Sequence, residues 1–382
     1  MSKHKFLYLD CLRGFAAVAV VLYHVTENNG LHWLPSADIA VDLFFGLSGF
    51  VMAASYSQAI GQGLDFKTFI VRRLIRLYPM FLVGLLLGAA AIYIKHDLAL
   101  SDISPDRLAT IFYTNALFIP YFGSASTHVF NYVSHDEGFP LSPSHWSLFF
   151  EIVAYAIFFF VSRRKPKLVP VLAVAGWVLF FGVSLRWGTG LGWGHGIFFW
   201  GGLPRVVYGF FAGVVAFIVY SNDRSAAFSA ARQFIAKHSR LVALLLISAL
   251  ILDFSWAPAK TAVAHILVVS ASPLLVLIGA CVRVENGALN SACRILGFLS
   301  YPLYCIHYPI LEFADVAARH PLRDTSPLAL SCGVTALSII LAIVFAKFID
   351  EPVRRILTRK FGADRVMKPA TVTTAVANGQ KQ

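Results

Sequence analysis

The sequence predicts an all-α protein: a polytopic transmembrane helical bundle of about ten spans with both termini cytoplasmic. Three observations carry this. Of the residues, 58% are hydrophobic and 14% charged, whereas soluble domains carry about 25% charged residues. The apolar residues gather into runs of about 20, the length a helix needs to cross a bilayer. Lys and Arg then fall in alternate loops, the bias that marks the cytoplasmic side. The net charge of +12 therefore reads as cytoplasmic loops rather than a nucleic-acid surface.

Apolar runs lie at 7–26, 39–58, 74–95, 144–162, 168–185, 203–220, 240–256, 260–282, 295–316 and 328–349. The first follows a basic start but is too long for a signal peptide and lacks a small-residue cleavage site, so it is read as a retained span. Starting from a cytoplasmic N-terminus, loop 27–38 lies outside and has no Lys or Arg. Loop 59–73 lies inside and ends in Arg72 and Arg73. Segment 96–143 carries Arg107 and no Lys, so it stays outside, whereas SRRKPK at 162–167 belongs inside. Both hold only if the short run 107–121 does not cross. Loop 221–240 and the tail after Glu351 fall inside and are basic; loop 317–327, with Arg319 and Arg323, breaks the rule. The chain divides into a membrane domain, 1–355, and a basic tail, 356–382, expected to be disordered because it is polar and poor in apolar residues.

The first run places Asp10, Arg13 and His24 on one stripe. Eleven positions separate Arg13 from His24, about three turns plus 20° at 100° per residue. A charged side chain in hydrocarbon costs roughly 3 kcal/mol, so this face looks into protein or water. In the second run, Asp42, Gly46, Gly49 and Ala53 share a face, and small residues there let helices approach closely. Asp42 enters at the depth of His24 and is expected to orient its imidazole.

Arg72, Arg73 and Arg76 stand at the inner mouth of the third run. They read either as topology anchors or as a phosphate clamp, since guanidinium binds phosphate through paired donors. Ser144, Ser147, Glu151 and Tyr155 form a polar stripe on run 144–162. Glu151 reads either as a functional carboxylate or as the partner of an Arg. On run 295–316, Ser300, Tyr304 and His307 share a face beside Pro302 and Pro309. Buried polar residues beside a kink line cavities, and His307 is either a structural hydrogen-bonder or a substrate contact. Five Cys show no paired spacing, and no HxxxH or HExxH occurs, so no metal is expected. No phosphate-binding glycine loop or nucleophile elbow occurs either. The Trp- and Gly-rich loop 186–203 reads as interfacial.

Five stretches in order carry a resemblance: LDCLRGFAAVAVVLYH with Arg13 and His24, FFGLSGF at 44–50, RRLIRLYP at 72–79, HWSLFFE at 145–151 and SYPLYCIHYP at 300–309. Over roughly residues 7–352 the chain resembles acyltransferase family 3, the integral-membrane O-acyltransferases of bacterial polysaccharides and related acceptors. The resemblance implies transfer of an acyl group, commonly acetyl, from acyl-CoA to a hydroxyl of a glycan or glycolipid, in the inner membrane of a bacterium. It marks Arg73 and Arg76 as a functional RxxR element. On this reading Arg13, Arg72, Arg73 and Arg76 hold the CoA phosphates. His24 is the general base, with Asp42 or Glu151 holding its tautomer. Trp146, Ser147, Tyr304 and His307 contact the acceptor. No cofactor is expected beyond acyl-CoA as co-substrate. The competing class is a transporter or flippase, in which intramembrane charges are equally at home; the absence of an inverted repeat counts against it.

Overall fold

The computed structural model of the chain describes residues 6–34, 37–123, 126–129, 132–135, 138–188, 191–192, 196–222, 230, 233–234, 237–238, 258–282, 287–319, 321–322 and 324–361. It is a helical bundle. The long helices are α1 (Leu7–Asn28), α2 (Ala40–Gly61), α3 (Phe66–Asp97), α5 (Trp146–Arg164), α6 (Val169–Trp187), α8 (Gly202–Asn222), α9 (Pro258–Cys281), α10 (Gly287–Arg319) and α11 (Pro327–Phe345). Shorter ones are α4 (Pro105–Ala116), α7 (Gly196–Trp200) and α12 (Glu351–Lys360), which a π turn at Ala346–Asp350 joins to α11. Within segment 96–143 a small antiparallel hairpin pairs β1 (Ser126–Val129) with β2 (Tyr132–His135).

Among the described residues, seven helices are long and apolar enough to cross a membrane. The expected run 240–256 lies outside the described residues. Run 260–282 coincides with α9, whose described apolar stretch is Val269–Cys281. Run 295–316 lies within α10, which is 33 residues long and so spans about 50 Å at 1.5 Å per residue. Its Tyr, His and Pro residues keep it less apolar than its neighbours. The segment 107–121 contains only α4, whose 12 residues reach about 18 Å, short of a bilayer crossing. The boundary expected at 355/356 falls inside α12, because the helical pattern continues to Lys360. Residues from 362 onward lie outside the described set.

Helix ends follow local chemistry. Asp65 caps α3, its carboxylate accepting from the Thr68 amide at 2.9 Å, and that bond holds the Asp65 carboxyl below its ordinary range. Ser326 caps α11 in the same way, and Pro327 at the first turn has no amide to leave unpaired.

Two seams build the core. Gly46 and Gly49 of α2 meet Gly209, Phe210 and Gly213 of α8; a methyl added at Gly49 would land on the Phe210 carbonyl. Only hydrogen at these positions lets the backbones approach this far. Gly14 of α1 sits against Leu296, and Gly297 of α10 against Asp10, so α1 and α10 run side by side. Every residue of α10 from Pro302 to Glu312 is buried. A helix covered on all faces is the centre of a bundle, and α10 has that place here.

Candidate active site

A cavity of about 170 Å³ opens between α1, α2, α3, α5 and α10. Arg13, Arg73 and Arg76 line it, with Ser48, Ser147, Glu151, Tyr155, Ser300, Tyr301 and Tyr304. Three of the expected phosphate-binding arginines thus converge on one space. The fourth, Arg72, is buried but is not part of its lining; it lies 100° round the helix from Arg73.

Each cavity arginine is held from behind. Arg13 donates through Nε to Ser300 Oγ at 2.9 Å, and through Nη2 to Asp10 Oδ1 at 2.9 Å and the Gly297 carbonyl at 3.0 Å. This joins the stripes read on α1 and α10 into one structure. Arg73 donates to Tyr56 Oη at 2.7 Å and lies over that ring at 4.6 Å. Arg76 lies over the Tyr301 ring at 5.1 Å and approaches Asp350 at 3.8 Å. Arg354 of α12 donates to the same carboxylate at 3.1 Å. Arg73 therefore keeps a guanidinium edge for a ligand, since its Nε is buried and without a hydrogen-bond partner, whereas Arg76 Nη1 faces Asp350 Oδ2 beyond hydrogen-bond distance. An unpaired buried donor is costly, and an anion in the cavity would relieve it.

Glu151 faces these cations across the cavity. Its Oε1 accepts from Ser48 Oγ, and from Tyr155 Oη at 2.5 Å. Ser147 Oγ lies 2.7 Å from Tyr304 Oη, which also donates to the Ser144 carbonyl at 3.0 Å. The polar stripes of α5 and α10 thus face each other, and Tyr304 and Phe44, whose rings meet edge-on at 5.5 Å, both line the cavity.

His24 and His307 do not line the cavity. Their rings stack at 5.2 Å, with His307 Nε2 at 3.2 Å from His24 Nδ1. The expectation that Asp42 or Glu151 orients His24 is corrected here: the neighbour at His24 Nδ1 is His307. Asp42 is fully buried and bound by Arg205 of α8, Nε to Oδ1 at 2.8 Å and Nη2 to Oδ2 at 2.6 Å. A two-pronged guanidinium satisfies a carboxylate more fully than an imidazole can. Trp146, expected at the acceptor, packs beneath that pair: the Arg205 guanidinium stands 5.8 Å from its ring, and the residue is 8% exposed.

Two features escaped the sequence reading. Arg205 sits inside an apolar run as a lone cation, and that placement was the available signal. Lys95, Glu312 and Asp315 form a fully buried charge cluster between α3 and α10, with Lys95 bonded to Glu312 and 2.8 Å from Asp315. Lys95 is the last residue of the apolar run 74–95. Among the described residues no group of His, Cys, Asp and Glu is arranged to hold a metal.

No solved structure matches the chain. A family model described as an acyltransferase domain matches residues 6–347. Protein 2 of the picA locus of Rhizobium radiobacter is 34% identical over 186 residues, 46% of this chain and 93% of that protein. A Bacillus subtilis protein named as a peptidoglycan O-acetyltransferase is 27% identical over 179 residues, 44% of this chain and 26% of that protein. A Staphylococcus aureus protein named as an O-acetyltransferase is 28% identical over 258 residues, 66% of this chain and 35% of that protein. The chain thus matches about a quarter to a third of the length of these last two. With its membrane-length helices and a family match that runs almost from end to end, the chain belongs to acyltransferase family 3, the integral-membrane O-acyltransferases.

Proposed function

We propose that the protein moves an acyl group, acetyl in the first instance, from cytosolic acyl-CoA to a hydroxyl of a glycan or glycolipid at the bacterial inner membrane. The observation that carries this is the cavity in which Arg13, Arg73 and Arg76 converge, with the buried Arg73 Nε unsatisfied. Those guanidinium groups suit the phosphates of CoA, which Arg grips through paired N–H groups. Glu151, bonded to Ser48 and Tyr155, offsets part of the cationic charge and orders the polar wall.

His24 lies about 16 Å further out along α1 than Arg13, at 1.5 Å per residue. The long pantetheine arm of CoA bridges such a span. At the far end, the acceptor oxygen attacks the thioester carbon. The O–C bond forms and the C–S bond breaks. His24 removes the hydroxyl proton as general base and returns it to the leaving sulfur, so the products are the ester and CoA thiol. The names of the Bacillus and Staphylococcus relatives support O-acetyl transfer; the glycan acceptor rests on the resemblance and on the peptidoglycan named for one of them.

The test is release of free thiol from acetyl-CoA by the purified protein, with and without a glycan acceptor mixture. Acceptor-dependent release is expected. The His24→Gln variant keeps a hydrogen-bonding group but cannot take up a proton, and should lose about 10²–10⁴-fold in turnover. Near-normal transfer by a well-expressed His24→Gln protein refutes His24 as the base. An active membrane extract paired with an inert purified protein, unable to bind acetyl-CoA, refutes the donor.

A further inference from the structure

The hydrogen bonds around His24 and His307 have one self-consistent arrangement. His307 is fully buried, and its Nδ1 lies 2.8 Å from the Tyr304 carbonyl oxygen. A carbonyl oxygen only accepts, so Nδ1 carries the hydrogen. In the neutral ring, Nε2 then holds a lone pair. That nitrogen is 3.2 Å from His24 Nδ1. A hydrogen bond there needs one hydrogen, which only His24 Nδ1 can supply. A doubly protonated His307 would be a buried cation, and among the described residues no carboxylate bonds to either ring. The Val20 carbonyl, one turn back, also reaches the His24 ring and as an acceptor likewise calls for a ring N–H; with that hydrogen on Nδ1, the remaining nitrogen, His24 Nε2, is unprotonated.

We propose that His307 is a positioning residue. Anchored by the Tyr304 backbone carbonyl, it locks His24 in the Nδ1–H tautomer and leaves His24 Nε2 as the basic atom that receives the acceptor's proton. This deepens the acyl-transfer reading and rests on it for the identity of the proton's source. Catalytic histidines are commonly oriented by a carboxylate. Here a neutral acceptor does the orienting, and the nearby carboxylate candidates are committed elsewhere: Asp42 to Arg205, and Glu151 to Ser48 and Tyr155. The imidazolium that forms during transfer lacks a counter-ion at Nδ1. That favours prompt return of the proton to the CoA sulfur, where it ends as the thiol. Tyr308, edge-on to His24 at 5.5 Å, and the stack with His307 hold the ring plane.

The orienting role depends on an acceptor at one point in space, and side-chain length can test it. His307→Gln brings an amide oxygen to about the place of Nε2; His307→Asn carries the same amide but stops short; His307→Leu removes it. With acetyl-CoA and acceptor, His307→Gln should stay within about tenfold of the wild-type kcat, whereas the Asn and Leu variants should fall by about 10²-fold or more. The KM for acetyl-CoA should hold in all three, since Arg73 and Arg76 are untouched. A second readout does not depend on transfer: nitrogen NMR of isotope-labelled histidine in the full chain without substrate should show His24 protonated at Nδ1 in the wild type and as a mixture of tautomers in His307→Leu. Wild-type kcat in the Leu variant, or His24 protonated at Nε2 in the wild type, overturns the proposal. A Gln variant as inactive as Leu also overturns it, because His307 would then carry the proton itself. If the wild type transfers nothing from acetyl-CoA, the donor assignment fails while the tautomer readout still decides on the pair.

Discussion

Removing the Asp42 carboxylate should unfold the protein more readily rather than disable its chemistry. Asp42 is fully buried and accepts two guanidinium bonds from Arg205, at 2.8 and 2.6 Å. Each charge-assisted bond is worth about 1.5–3 kcal/mol. Breaking a buried pair by deleting one partner costs about 3–5 kcal/mol, because the other charge is left without compensation. Arg205 also donates to the Leu191 carbonyl at 2.9 Å and stands over the Trp146 face at 5.8 Å, and neither of those is an anion. Asp42→Ala should therefore lose about 3–5 kcal/mol. The double variant Asp42→Leu, Arg205→Met should recover most of that, since an apolar replacement of a buried ion pair is often neutral. The assay is the temperature at which detergent-solubilised protein leaves its monodisperse peak. Turnover of Asp42→Asn, measured well below that temperature, should stay close to wild type. An Asp42→Ala protein as stable as the wild type would refute the packing argument. A stable Asp42→Asn protein without turnover would return Asp42 to the site.

Three further outcomes are expected. Arg73→Ala or Arg76→Ala should weaken acetyl-CoA binding by about 1.5–3 kcal/mol per lost contact, with Lys restoring only part because it lacks the planar fork; unchanged affinity by equilibrium binding would leave them as topology anchors. A reporter fused after Lys167 should be cytoplasmic and one after Leu117 outside; both on one side would mean that the chain crosses between Asp97 and Leu117. Gly49→Val should collapse the yield of folded protein in fluorescence-detected gel filtration, because any added carbon meets the Phe210 carbonyl; a normal profile would show that the α2–α8 seam can open.

The helical membrane class needed no contacts to read. Long apolar runs leave a chain in lipid one way to satisfy its backbone, the helix, and loop charge supplied the expected orientation. The stripe of Asp10, Arg13 and His24 was legible because helical periodicity alone places those residues on one face. The convergence of Arg13, Arg73 and Arg76 was half legible: periodicity showed which residues share a face, but not which face meets which helix. That the α1 stripe faces Ser300 and His307 on α10, 287 and 283 positions away in the chain, follows from close approach at Gly14 and Gly297. Asp42 shows the limit most directly. Its depth matched His24, yet depth says nothing of direction around a helix axis, and Arg205 from α8 reached it instead. Partner choice among buried polar groups is settled by whole-bundle packing, because each must find its complement in a dry interior, and that complement sits on whichever helix the small residues allow to come close.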